Sequence, residues 1–374
     1  MTISSIYKSL TIYSLFICFG LSHVTAQYNF KTEKRINCTE VKSQDRTGTC
    51  WSFATASFLE SELIRMGHDN INLSEMFIVR NIYKDKAMNY VMRQGKANFS
   101  QGSLSHDLIR MTEKHGLITE DAYSGLINEE TKHDHSEMEA GLKGFLDGIR
   151  KSKKLSTNWK PAFAAIIDTY MGAVPKQFMH DGVAFTPKSF VETTKLKTDN
   201  YISLGSFTHH PFYEEFILEI PDNYSNGEFY NVPLKEMMSI IDYAILAGYS
   251  IAWDGDVSEK GFSAKNGMAL LPENAKREDL FTMPGKEIEV TQENRQSNFE
   301  NYSTTDDHLM HLVGMALDQN GTKYYIIKNS WGEISDFKGY LYMSENYLKM
   351  KTISVMIHKD GLPSDSSKRL FESE

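Results

Sequence analysis

The sequence predicts an α+β chain, helical in its N-terminal part and β-rich in its C-terminal part, with a large mixed insert between the two. Three observations carry this. Residues 50–66, CWSFATASFLESELIRM, hold helix formers at high density. Residues 308–318 and 323–328 are apolar strand-forming runs on either side of Asn320-Gly321, a strong hairpin signal. The long stretch between these regions changes from helical to alternating periodicity and back.

The elements follow in order. Residues 28–41 are polar and are expected to drape over the surface, and Gln44 to Thr49 form a turn-rich loop. The helix from Cys50 ends at Gly67, where a left-handed residue suits a helix terminus. Trp51, Phe53, Ala54, Phe58 and Leu63 cover more than half of its circumference, which predicts a buried helix. A second helix fits 74–93 with Ser74 as N-cap, and a third fits 104–115, closed by Gly116. Residues 129–177 stay helical in pattern, 199–230 alternate, 234–246 read as a helix ended by Gly248, and 249–253 as a short strand. A polar loop is expected over 292–307 and a third strand of the hairpin sheet over 339–343. The predicted organisation is a helical lobe over 27–128, an insert and crossover over 129–290, a β-rich lobe over 291–360 and a flexible tail over 361–374.

Composition narrows the functions. With 374 residues, 41% of them hydrophobic and 24% charged, the chain can bury a large core. A net charge of −9 argues against a nucleic-acid partner, which requires a basic face. Lys8, the apolar run from Leu10 to Leu21 and the small-residue site Val24-Thr25-Ala26 make residues 1–26 a secretory signal, so the mature chain is expected to be exported to a periplasmic or extracellular space. No second segment approaches the length of a membrane span, so stable membrane insertion is not expected. Cleavage would remove Cys18 and leave Cys38 and Cys50, too few for a disulfide scaffold.

Cys50-Trp51 opens a helix directly after a glycine-bearing loop. Unpaired N–H groups and the positive dipole end stabilise a thiolate there, and the Cys50 N–H can serve an oxyanion. Gln44 on the same loop can add a side-chain donor. The ordinary fate of a cysteine is to be an inert core thiol, so Cys50 needs a proton acceptor to count as a nucleophile. His308 and His311 lie on the strand that pairs with 324–328, and Asn329 follows that partner strand within Asn329-Ser330-Trp331-Gly332. An asparagine there can accept from an imidazole N–H and fix its tautomer, with Trp331 shielding the bond. A tight turn at Asn320-Gly321 sets Asn329 opposite position 312, and alternation carries that face to 308, leaving His311 on the other. His308 then lies four residues beyond the ideal partner, so a longer loop or a bulge must close the gap. A one-residue slip would choose His311 instead.

Taken together, Gln44, Cys50-Trp51-Ser52-Phe53-Ala54, His308 and Asn329-Ser330-Trp331-Gly332 resemble the papain superfamily of cysteine peptidases. That family's histidine is followed six residues later by glycine, and Gly314 meets this only if His308 is the base. The chain is most similar to the bleomycin hydrolase and aminopeptidase C branch, on the strength of Trp253-Asp254-Gly255-Asp256-Val257, the 261–270 stretch and Lys338-Gly339-Tyr340-Leu341. The family's cysteine three residues before the nucleophile is here Thr47. The resemblance implies a two-lobed papain-like fold with a β-barrel-like second lobe and no cofactor or metal. It implies Cys50 as nucleophile, His308 as base, Asn329 as its orienter and Gln44 with the Cys50 N–H for the oxyanion. It also implies a substrate strip at Gly102 and Ser103, flanked by Trp51 and Trp331. Ser103 stands where a second glycine is common.

Peptides or proteins are the implied substrates, and nothing in the sequence indicates an oligomeric state. An aminopeptidase fits the branch, where a C-terminal arm lies in the cleft; an endopeptidase and a catalytically silent binding homologue are the alternatives. Other histidine pairs read as surface: Lys132-His133-Asp134-His135 as a solvated face, His209-His210 as loop. His308→Ala is expected to lower kcat/KM by about 10²–10⁴-fold on fluorogenic peptides while His311→Ala retains turnover; the reverse result would show that the register is wrong.

Overall fold

The computed structural model describes residues 28–69 and 71–372, so the expected signal peptide lies outside the described residues. The N-terminal helices are α1 (Cys50–Arg65), α2 (Glu75–Met92), α3 (Ser105–His115), α4 (Ser136–Ile149), α5 (Trp159–Met171) and α6 (Pro187–Thr194). Helix α1 is buried on every side through Leu63, because α2 and α3 pack on one flank and strands on the other. Its alanines and serines admit these neighbours at close range. Ser74 caps α2, its hydroxyl accepting from the Phe77 N–H at 3.1 Å. The apolar faces of α4 and α5 (Met138, Leu142, Leu146, Phe163, Ile167) join the core of α1–α3. The helical lobe therefore runs on past 128 to α6, rather than ending where the insert was expected.

The strands are β1 (Lys31–Arg35), β2 (Phe178–His180), β3 (Val183–Phe185), β4 (Tyr201–Gly205), β5 (Glu215–Ile217), β6 (Glu228–Asn231), β7 (Ile251–Gly255), β8 (Phe262–Ser263), β9 (Met268–Ala269), β10 (His308–Leu317), β11 (Lys323–Lys328), β12 (Tyr340–Ser344) and β13 (Thr352–His358). Except for the separate β2–β3 pair they form one sheet, ordered β5-β6-β4-β13-β7-β10-β11-β12-β9-β8, with β1 also on β10. Strands from the expected insert, β4 to β9, are thus integral to the sheet, and the path is open at both ends rather than closed as a barrel. Helices α7 (Leu234–Ala247), α8 (Gln292–Glu300), α9 (Glu345–Lys351) and α10 (Ser364–Phe371) complete the order.

Three expectations fail for identifiable reasons. Residues 31–35 do not merely drape over the surface: still largely exposed, they pair with β10 as a strand, where backbone bonds outweigh a charged sequence. The polar loop after 292 begins as α8, started by a capping box between Thr291 and Asn294 and held by buried Arg295, which donates to the carbonyls of Ser206 and Lys349 at 3.1 and 3.0 Å. The tail is not loose, because α10 buries Leu370 in the sheet core and Ser366 donates to Glu236 of α7 at 2.7 Å.

The hairpin resolves the register problem. Five residues, 318–322, form the loop, so Leu317 faces Lys323 and Gly314 faces Ile326. That one-residue displacement alone would have aligned Asn329 with His311. A bulge between Leu312 and Gly314 shifts the ladder once more, giving Leu312 opposite Ile327 and His311 opposite Lys328. One further step sets Asn329 level with Met310, so His308 returns to its face two residues closer than a tight turn allows. Gly314 beside the bulge has its own reason: a Cβ there would overlap the Lys34 carbonyl oxygen of β1. Gly314→Ala is expected to destabilise the protein by about 1–3 kcal/mol, read as a lower denaturant midpoint at unchanged m-value.

Candidate active site

Cys50 is the first residue of α1, and its N-cap Thr49 makes no side-chain cap, so the N–H groups of the first turn keep their polarity for other uses. The preceding loop is self-tied: Thr47 Oγ1 donates to the Gln44 carbonyl at 2.7 Å. Gln44 Nε2 donates to the Thr47 carbonyl at 2.7 Å, while its Oε1 accepts from Ser330 Oγ at 2.7 Å. Gln44 N also donates to the Ser330 carbonyl at 2.8 Å. One amide hydrogen of Gln44 is thereby engaged and a second is left for a ligand.

His308 opens β10. Its Nε2 lies 2.8 Å from Asn329 Oδ1, and the Ser330 N–H donates to that same oxygen at 2.8 Å. An atom that accepts from a backbone N–H is the amide oxygen, so His308 must carry its proton on Nε2 and keep the Nδ1 lone pair free. The Trp331 ring lies 4.6 Å from the imidazole, centroid to centroid, and Phe262 supports it edge-on at 5.9 Å. His311 points the other way: its Nδ1 meets Ser57 Oγ at 2.8 Å, beside Lys328 Nζ, which donates to the same hydroxyl at 2.8 Å.

Helix α1 packs on the histidine strand, and the Leu309 backbone, one residue after His308, favours the Cys50 thiolate. Cys50 is only 8% exposed, not the open sulfur that its loop predicts. Burial pushes its pKa up to about 12, the Leu309 backbone opposes this, and Asp306, Asp254 and Asp222 add to it. Burial likewise lowers His308 to about 4, against the Asn329 bond. The pair as folded is a neutral thiol and a neutral imidazole, because a closed low-dielectric site penalises each charge separately. Proton transfer between them creates both charges together, and their attraction then offsets part of that cost.

The expected substrate strip is set beside this pair. Trp51 is fully buried and is not a substrate contact; its Nε1 donates to the Gln101 carbonyl at 2.9 Å, and Gly48 N donates to Gln101 Oε1 at 2.7 Å. These bonds pin residues 101–103 to the start of α1. Ser103 is also buried, its hydroxyl turned inward to Asp107 Oδ2 at 2.6 Å. Gly102 and Trp331 remain accessible. Sequence reasoning did not single out Asp222, Asp254 and Asp306 as site groups. Asp254 sits inside a motif already quoted for resemblance, whereas Asp222 carries no local signal beyond a turn. His133 and His135 are buried rather than a solvated face, because their chain segment bonds to Arg46 and Asp45. On the surface, His209, His210 and Glu219 bring possible ligand atoms within 4.8 Å of one another and are already hydrogen-bonded together. Cys38 and Cys50 are both free.

Residues 169–374 match the model of the Peptidase C1-like family, and residues 24–180 that of the papain family cysteine proteases. The chain is 24% identical over 385 residues to aminopeptidase G of Lactobacillus delbrueckii subsp. lactis, covering 91% of this chain and 85% of the relative. It is 24% identical over 390 residues to aminopeptidase E of Lactobacillus helveticus, covering 92% and 85%. The crystal structure of pepw from Lactobacillus rhamnosis HN001 shares the fold, with a TM-score of 0.70 at 18% identity over 91% of this chain and 85% of that one.

Burial, not the histidine alone, sets the low imidazole pKa, so opening the site should undo it. Below its pKa the imidazole is protonated and cannot accept from the thiol. In Trp331→Ala the acid limb of kcat/KM is therefore expected to move up from near 4 toward 6.5, checked by a pH–rate profile. The chain belongs to the Peptidase C1-like family, cysteine peptidases of the papain superfamily on the branch of the aminopeptidases C.

Proposed function

We propose that this chain is an exported cysteine aminopeptidase that cleaves peptide bonds through Cys50, His308 and Asn329. The observation that carries the reading is the His308 Nε2 to Asn329 Oδ1 bond at 2.8 Å, on a strand whose next residue, Leu309, favours the Cys50 thiolate through its backbone. In this scheme Cys50 gives its proton to His308 Nδ1 as sulfur attacks the scissile carbonyl. The developing oxyanion is held by the Cys50 N–H and the second amide hydrogen of Gln44. The imidazolium, steadied by Asn329 Oδ1, then protonates the leaving amine, and water activated by the same histidine hydrolyses the thioester. No step calls for a metal.

The aminopeptidase reading is supported by the names of relatives similar over nine-tenths of the chain. Export is supported by the leader pattern of residues 1–26. Among the described residues no helix is long and apolar enough to cross a membrane.

The test is a pair of fluorogenic peptides that differ only at the N-terminus. The free-amino compound is expected to be turned over at least about tenfold faster than its N-acetylated twin, as a charged hydrogen bond to the amine would give, and Cys50→Ala is expected to abolish both. Equal rates would make the enzyme an endopeptidase. Equal rates in wild type and Cys50→Ala would remove the cysteine from the chemistry.

A further inference from the structure

The loop over residues 218–227 brings a carboxylate onto the substrate strip. Asp222 stands so close over Gly102 that a Cβ at 102 would collide with its carboxylate, Oδ2 first. The loop is held in that place. Asn98 Nδ2 donates to Asp222 Oδ1 at 2.9 Å and to the Pro221 carbonyl at 3.2 Å. Asn223 Nδ2 bridges the carbonyls of Leu218 and Gly227 at 2.9 and 3.0 Å. Gly102 is thus required by Asp222, since any side chain there would push the carboxylate off the strip.

Among the described residues no cation forms an ion pair with Asp222, although the Lys86 charge acts on it from behind the strip. Lys86, buried behind the strip, donates its ammonium hydrogens to the carbonyls of Ser100 and Gly102. The charges of Asp306, Asp254 and Asp222 all act on the Cys50 thiol, and the carboxyl groups of Asp254 and Asp306 hydrogen-bond to each other. Asp254 is 1% exposed, and its Oδ1 has no hydrogen-bond donor. Asp222, with Oδ1 accepting from Asn98 and Oδ2 set against Gly102, fits a ligand that brings a positive charge with N–H donors.

We propose that Asp222 binds the free α-ammonium of the substrate and at the same time closes the cleft beyond the first residue, so that a loop within the chain confers aminopeptidase specificity. The inference rests on the cysteine aminopeptidase reading above. An extended peptide advances about 3.3–3.6 Å per residue, so a substrate with its scissile carbonyl at Cys50 would run its preceding residue into Asp222. An internal peptide there would set a neutral amide and its side chain against a carboxylate, whereas a chain end makes a charge-assisted hydrogen bond. Attraction for one and exclusion of the other together make the selectivity. The described part of the C-terminal tail does not take this role, because α10 packs on α7, with Arg369 reaching Glu236.

Asp222→Asn retains the shape of the side chain and the acceptor for Asn98 but removes the charge. With the free-amino and N-acetylated fluorogenic peptides as probes, the variant is expected to lose at least about tenfold in kcat/KM on the free-amino compound, mainly through KM. Turnover of the acetylated one should be unchanged or raised. Thermal unfolding checks that the variant folds. If wild type prefers the free amine and folded Asp222→Asn keeps that preference, the anchor is elsewhere and this inference is overturned while the aminopeptidase reading stands. If wild type shows no preference, the aminopeptidase reading itself fails.

Discussion

The seating of α1 against β10 is the constraint on which the site depends. Neither element holds the proposed chemistry alone: one begins with Cys50 and the other with His308. Their contact is apolar at Phe53, Phe58 and Leu309 and is pinned at its centre by Ser57, whose hydroxyl meets both His311 and Lys328. His311 is therefore a clasp between the lobes rather than a base. Its second ring nitrogen is buried without a partner, which marks a group retained for the bond it does make. Sliding one element along the other by a single residue would break this clasp and separate the two reacting groups.

The same closeness sets the electrostatics. A helix N-terminus favours a thiolate, yet here burial and three nearby carboxylates outweigh it and leave the thiol protonated. Stabilisation by the first turn is still present, and in the proposed mechanism it acts when sulfur and imidazole become charged together. Trp331 and Phe262 exclude water from the His308–Asn329 bond, which strengthens it and lowers the imidazole pKa by one and the same desolvation.

The long middle region divides by function rather than by sequence position. Its helices α4 to α6 extend the first core; its strands β4 to β7 join the sheet on one side of β10, and β8 and β9 extend it beyond β12 on the other. What remains between β5 and β6 is the short loop that carries Asp222 to Gly102.

Much of this was readable from residues alone. The buried helix at Cys50, the caps at Ser74 and Gly116, the hairpin around Asn320-Gly321 and the order of Cys50, His308 and Asn329 all arise from local periodicity and turn chemistry, which nearby residues determine. The tertiary structure decided what depends on distant partners. It set His308 against Asn329 through a bulge that no local pattern announces. It turned Trp51 and Ser103 inward and made strands of 31–35 and helices of 292–300 and 364–371. It also brought Asp222 to Gly102 across 120 positions of chain. Local sequence encodes φ/ψ preference and amphipathic faces; which faces meet, and so which charges share a low-dielectric space, is determined only when the whole chain has packed.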